Sequence, residues 1–135
     1  MAHGNYSEVG VAVASRPDCP PELLSRLVKS SYTGIVAEAV SHNTCPPRAI
    51  ITANAMNSAR VVQYASACNP YCPQTVLRKL MRANYQDIWL AVIQHPNCPR
   101  GVIIDSLDHP DRLVAEAARE RMPRYELAMW QLAHS

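Results

Sequence analysis

Apolar residues recur along this chain in a fixed phase with four Cys-Pro dipeptides, Cys19-Pro20, Cys45-Pro46, Cys72-Pro73 and Cys98-Pro99. Counting from each Cys, offsets four and five hold Leu23 and Leu24, Ala49 and Ile50, Val76 and Leu77, and Val102 and Ile103. Offset eight holds Leu27, Ala53 and Leu80, with Ser106 as the exception. Apolar side chains at these spacings share one face of a helix, which predicts a first amphipathic helix in each unit. Offset sixteen then holds Ile35, Val61, Ile88 and Val114, and offset twenty holds Ala39, Ala65, Val92 and Ala118. The separation of four predicts a second helix, short enough for part of it to be 3₁₀.

The Cys-Pro pairs stand 26, 27 and 26 residues apart, a period that marks a repeat architecture. Proline suits the first helical position because its missing N–H has no partner there anyway, so Cys is expected as N-cap and Pro as the first helical residue. Two residues before each Cys stand Pro17, Asn43, Pro70 and Pro96, which stop the preceding second helix. A single helix pair cannot bury its own apolar face, whereas stacked pairs share a continuous core. The expected fold is therefore all-α, one domain: a right-handed α-solenoid of about four two-helix repeats over 16–42, 43–68, 69–95 and 96–122. Subtracting one period places Tyr6, Val9 and Val13 under Tyr32, Ile35 and Ala39, so 5–15 reads as an N-terminal half-repeat. Pro123 opens a further helix over 123–135, whose Leu127, Trp130 and Leu132 can cap the last open face.

The runs DCPPELLSRLV and NPYCPQTVLRKLM, each followed by a Val/Ile-rich segment and a helix stop, resemble the variant leucine-rich repeat family. Its repeat opens Asn-Pro-x-(Thr or Cys)-Pro, continues Glu-Leu-Leu-x-x-Leu and closes Val-Arg-x-Ala-Val-Ala. The resemblance spans nearly the whole chain and implies alternating α and 3₁₀ helices in a right-handed superhelix. It implies no activity, because that family shares none. The Arg after the closing Val is replaced here by Val36, Val62, Trp89 and Ala115, and residues 1–18 do not match the cysteine-rich iron–sulfur segment of some relatives.

The five cysteines do not change this picture. Equivalent positions of stacked repeats lie roughly 8–10 Å apart, too far for four thiolates to share one zinc at about 2.3 Å, so Cys19, Cys45, Cys72 and Cys98 read as small buried residues at the helix starts. Cys68 and Cys72 could approach each other across a turn, and a cytosolic protein would keep them reduced. His42 with Cys45 and His95 with Cys98 look like half-sites, but they are two repeats apart. Each histidine reads more simply as a group meeting free carbonyls at the end of a second helix. Asp105, Asp108 and Asp111 around His109 read as a solvated acidic turn. No nucleotide-binding, metalloprotease or nucleophile-elbow motif occurs, so neither an enzyme nor a metal or cofactor is expected.

Composition adds one feature. Hydrophobic residues are 48% and charged residues 18% of the chain, as befits a folded protein, and the net charge is only +2. That small total hides a segregation. Residues 26–82 carry Arg26, Lys29, Arg48, Arg60, Arg78, Lys79 and Arg82 against the single acid Glu38, while both flanks are net negative. Offsets three, seven and ten of the first helix lie opposite its apolar stripe. They hold Arg48, then Arg26 and Lys79, then Lys29 and Arg82, and they become Gly101, Asp105 and Asp108 in the fourth repeat. With Arg78 these residues form the candidate binding site, a basic ridge. The expected function is a non-catalytic scaffold that recognises a partner protein over its extended surface. Backbone-mediated DNA or RNA binding through the same ridge is the alternative. The apolar run from Val9 to Ala14 is too short for a signal segment or a membrane span, so a soluble, cytoplasmic protein with no membrane partner is expected. The nearly uncharged GVAVA end offers a surface for homodimerisation.

Overall fold

The computed structural model describes residues 16–134, and among these every regular element is an α-helix. Four pairs follow one another: α1 (Pro21–Leu27) and α2 (Thr33–Ser41), α3 (Pro47–Met56) and α4 (Arg60–Cys68), α5 (Gln74–Leu80) and α6 (Gln86–Gln94), α7 (Arg100–Ser106) and α8 (Arg112–Arg121). A last helix, α9, spans Arg124–Ala133. The second helices pack in series, α2 on α4, α4 on α6 and α6 on α8, and α3 packs on α5. The half-repeat expected at 5–15 lies outside the described residues.

The second helices are α-helical throughout, nine or ten residues each, where a 3₁₀ component was expected. Runs of that length are uncommon for 3₁₀, whose hydrogen bonds are poorer. The helix starts also differ by one residue from the expected form. Pro20, Pro46, Pro73 and Pro99 are N-caps with ψ of 146°, 141°, 150° and 137°, and each Cys stands one position further out. The proline ring fixes φ, which suits an extended N-cap as well as a first helical residue. The proline carbonyls accept the first intrahelical bonds, from Leu24, Ile50, Leu77 and Ile103. The Cys45, Cys72 and Cys98 thiols lean on those same carbonyls at 3.8, 3.8 and 3.6 Å.

Before each Cys the chain makes a tight turn. The N–H of Cys19, Cys45, Cys72 and Cys98 donates to the carbonyl three residues back, of Arg16, His42, Asn69 and His95, at 3.0–3.1 Å. Pro17, Pro70 and Pro96 follow three of these acceptors, the position where the proline ring pre-sets a β-turn.

The core forms two buried clusters. One contains Leu24, Val28, Val36, Val40, Ile50, Val62, Leu77, Leu80, Ile88 and Val92, and the other Ile93, Ile103, Leu107, Val114, Ala118 and Met122. Met81, Cys98 and Val102 pack against both, so the seam falls between α5 and α7. Offsets four and five point inward as expected, but the first-helix stripe runs on to offset nine. Val28 and Leu107 are 1% exposed as C-caps turned into the core, whereas Leu27 is only half-buried.

The second pair departs furthest from the expected register. α3 has ten residues against seven in α1, α5 and α7, and α4 starts one position late. The extra residue of the 27-residue unit thus lies before α4, and Val62 and Ser66 take the inward positions expected for Val61 and Ala65. Val61 is 52% exposed. The Ser66 hydroxyl donates to the Val62 carbonyl (2.8 Å) and accepts from Asn54 Nδ2 (2.8 Å). Asn54 Nδ2 also donates to the Ile50 carbonyl at 2.9 Å. At the C-terminal end, Leu127 and Trp130 of α9 pack on the second cluster and Arg100 pairs with Glu126, but Leu132 is 72% exposed and does not cover that face.

A polar ladder joins successive helix pairs. Asn69 Nδ2 donates to the Val40 and His42 carbonyls at 2.7 and 2.9 Å. His95 Nε2 lies 2.6 Å from the Asn69 carbonyl, and Arg121 Nη1 donates to the Ile93 and His95 carbonyls, both at 2.9 Å. Each pair therefore satisfies carbonyls left open at the end of the second helix before it.

The shifted register makes neighbouring valines unequal: Val62→Ala should lower unfolding free energy by about 1–3 kcal/mol and Val61→Ala by less than about 0.5, read from urea denaturation. In the same assay Leu80→Ala should cost about 2–5 kcal/mol through the cavity it opens, and Asn69→Ala about 1–3 kcal/mol through loss of its bonds to the Val40 and His42 carbonyls.

Candidate functional site

All six residues of the basic ridge are exposed, and none forms an ion pair with a described carboxylate. Their placement nevertheless divides them. Lys29, just past α1, and Arg48, in the first turn of α3, line one cleft of about 350 Å³ with Ser25 and Thr52. Lys79 on α5 reaches back to donate to the Asn54 carbonyl at 3.2 Å, which ties it to the C-terminal half of α3. Arg26 and Arg82 are exposed on α1 and just after α5. Arg78 turns elsewhere, into a cleft between α5 and α7 that it shares with Asp105 and His109. Arg60, the seventh cation of the basic segment, pairs with Asp87 at 2.9 Å and lies 4.6 Å from the centre of the Tyr85 ring.

Sequence reasoning missed the surface of the second helices. A groove of about 480 Å³ between α4 and α6 is lined by Tyr64, Cys68, Asp87, Leu90 and Gln94 among others. A second, of about 280 Å³ between α2 and α4, is lined by Glu38, Ser41, Val61, Tyr64 and Cys68 among others. Tyr64 and Cys68 belong to both, so they form the wall between two adjoining grooves. Val61 and Tyr64 are exposed there, and a hydrogen bond to Cys68 raises the pKa of the Tyr64 hydroxyl. The sequence signal was the large polar aromatic within RVVQYASAC, which can be placed on the outer face only once the one-residue shift is known.

The two His-x-x-Cys pairs are not assembled as half-sites. His95 is 3% exposed and uses both ring nitrogens: Nε2 meets the Asn69 carbonyl, and Nδ1 accepts the Asn97 N–H at 2.9 Å. That geometry assigns the ring proton to Nε2. His42 lines a shallow cleft with Glu38 and Ser41. Among the described residues no group of three or more His, Cys, Asp or Glu side chains could hold a metal ion. Of the acidic turn, Asp111 caps α8 by accepting from the Leu113 and Val114 N–H groups, and it also accepts from Gln86 Nε2. Burial pushes the thiols of Cys45 and Cys72 up to about 11 and about 12. It raises Cys98 to about 11 against the opposing effect of the Arg121 charge. At neutral pH these three are protonated and therefore poor nucleophiles and ligands.

What the fold defines is an all-helical protein, and no described helix is long and apolar enough to cross a membrane. Compared with protein-family models, curated proteins and solved structures, the chain matches none.

The thiol environments predict a sharp order of reactivity. Brief iodoacetamide treatment at neutral pH should label the exposed Cys68 first and leave Cys45 and Cys72 untouched until denaturant is added, as peptide mass spectrometry would report. They also set a pH dependence. Thiols freed by unfolding ionise near the ordinary value of 9.0 while those of Cys45 and Cys72 hold their protons to about 11 and 12. Their contribution to stability is thus complete below about pH 9 and is lost as pH rises through that window. Melting temperature should fall over this range, and Cys72→Ala should shrink the fall.

Proposed function

We propose that the chain is a right-handed α-solenoid of four two-helix repeats, as its resemblance to variant leucine-rich repeat proteins implies, and that it acts as a non-catalytic scaffold for a partner protein. The observation that carries this reading is the pair of adjoining grooves on the second helices, with Tyr64 and Cys68 as their shared wall and the exposed Val61 beside them. A rigid aromatic flanked by two concave, partly apolar surfaces is what a protein interface uses as an anchor. The in-series packing of α2, α4, α6 and α8 supports the solenoid reading.

A second reading has its own observation. The six ridge cations carry no described carboxylate partner, so their field is available to a polyanion such as a DNA or RNA backbone.

Pull-down from host lysate with and without nuclease separates the two. For the protein reading, the captured proteins survive nuclease and are lost with Tyr64→Ala. Capture that disappears with nuclease, or that Tyr64→Ala leaves unchanged, overturns it. For the polyanion reading, anisotropy with random duplex DNA should show affinity falling with salt at a log–log slope near −0.9 per phosphate contact. Replacing Lys29, Lys79 and Arg82 together by Ala should reduce that slope by up to about three.

A further inference from the structure

The fourth first helix carries Ser106 where the other three carry Leu27, Ala53 and Leu80, and Asp105 where they carry Arg26, Thr52 and Lys79. Gly101, Asp105 and Ser106 line a single cleft of about 400 Å³ between α5 and α7, with His109 beside them and Arg78 on the facing helix. Met81 and Val102 supply its apolar part, at the seam between the two core clusters.

Each polar group there is left with unused capacity. Arg78 and Asp105 carry opposite charges on one cleft, yet they form no ion pair with each other or with any described residue. Ser106 is 2% exposed, and its hydroxyl makes no hydrogen bond among the described residues. The hydroxyls of Ser25, Ser41, Thr52 and Ser66, in contrast, all turn back onto the carbonyl four residues earlier. The Ser106 oxygen is therefore free to meet a molecule in the cleft. His109 Nδ1 accepts the Asp111 N–H at 3.0 Å, so the neutral ring carries its proton on Nε2, which has no described partner. The ring is held against Trp89 with centroids 4.7 Å apart, and Trp89 Nε1 donates to the Met81 carbonyl at 3.2 Å.

Gly101 adds an independent observation. A Cβ built there would meet nothing within 4 Å, so no steric constraint calls for glycine. At this position glycine leaves the cleft floor open.

We infer that this cleft binds a free α-amino acid with an apolar side chain. Its carboxylate would lie on Arg78 and the His109 Nε2–H, its ammonium on Asp105, and its side chain over Gly101, Val102 and Met81, with the Ser106 hydroxyl completing one of the polar contacts. Guanidinium–carboxylate pairing has the planar geometry for the first of these contacts. The volume lies in the range of small-ligand sites.

The test is titration of the full chain with L-leucine, L-methionine and L-phenylalanine. The Gly101 amide and Trp89 indole are followed by ¹H–¹⁵N NMR. At least one amino acid should shift both signals saturably, and its N-acetyl and methyl-ester forms, each lacking one charge, should bind about tenfold or more weakly. Gly101→Leu, which fills the cleft, should keep the melting temperature and abolish the shifts. Should that variant fail to fold, Asp105→Asn carries the same test, because it should erase the preference for the free amine over the N-acetyl form. No saturable shift with any of the three, equal binding of the blocked forms, or retained binding in a folded Gly101→Leu or unaltered preference in Asp105→Asn overturns the inference.

Discussion

The carbonyl groups at the C-termini of the second helices are the points on which the stacking of this molecule depends. A helix leaves its last carbonyls open, and here the open groups of α2, α4 and α6 face the helix pair that follows. Each is met from the next pair by different chemistry: the amide of Asn69, the imidazole of His95 and the guanidinium of Arg121. The His42, Asn69 and His95 carbonyls also accept the Cys N–H that closes the following turn. One backbone oxygen thus holds the local turn and the neighbouring pair together. A net contribution of about 1 kcal/mol per bond is modest, but orphaning a buried carbonyl costs about 1–3 kcal/mol, so a helix pair that slipped by one residue would lose twice.

That constraint bears on the second pair, where the unit is one residue longer. The extra residue is absorbed between α3 and α4, so α4 stands at the same distance before Cys72 as α2 before Cys45 and α6 before Cys98, and the ladder stays in register. Ser66 therefore takes the inward position held by Ala39 in α2 and Val92 in α6, opposite Asn54, whose Oδ1 is buried without a hydrogen bond among the described residues. Val61 takes the outward position held by Gly34 in α2, and Val61 and Tyr64 line the groove shared with α2.

Charge is distributed along the same frame. The ridge cations lie on the first helices or just past their ends, and Tyr64 on the second helix α4 walls two grooves. Lys29 and Arg48 share a cleft without a carboxylate, Lys79 is partly committed to the Asn54 carbonyl, and Arg78 shares a cleft with Asp105 of α7. The exposed pairs Arg60–Asp87 and Arg112–Glu116 add little stability in water, since surface ion pairs are worth about 0–1 kcal/mol.

Local pattern was enough to find the helices: apolar side chains at offsets four and five lie on one helix face whatever surrounds them, and proline restricts φ wherever it stands. Exposure of five of the six cations, all but Arg78, followed from the same periodicity, because the side opposite an apolar stripe faces solvent. What lay beyond that reading depends on partners far away in the chain. The Asn69, His95 and Arg121 bonds join residues 26–29 positions apart, and their donors share no residue type that a pattern could detect. The one-residue shift before α4 was hidden for the same reason, since counting forward from Cys45 presumes a constant turn, and only packing against α2 and α6 selects which face of α4 is buried. Asp105 and Ser106 were visible as departures from the repeat, but their meeting with Arg78 in one cleft was not, because helical periodicity relates residues within one helix and is silent about which side chain a neighbouring helix sets opposite.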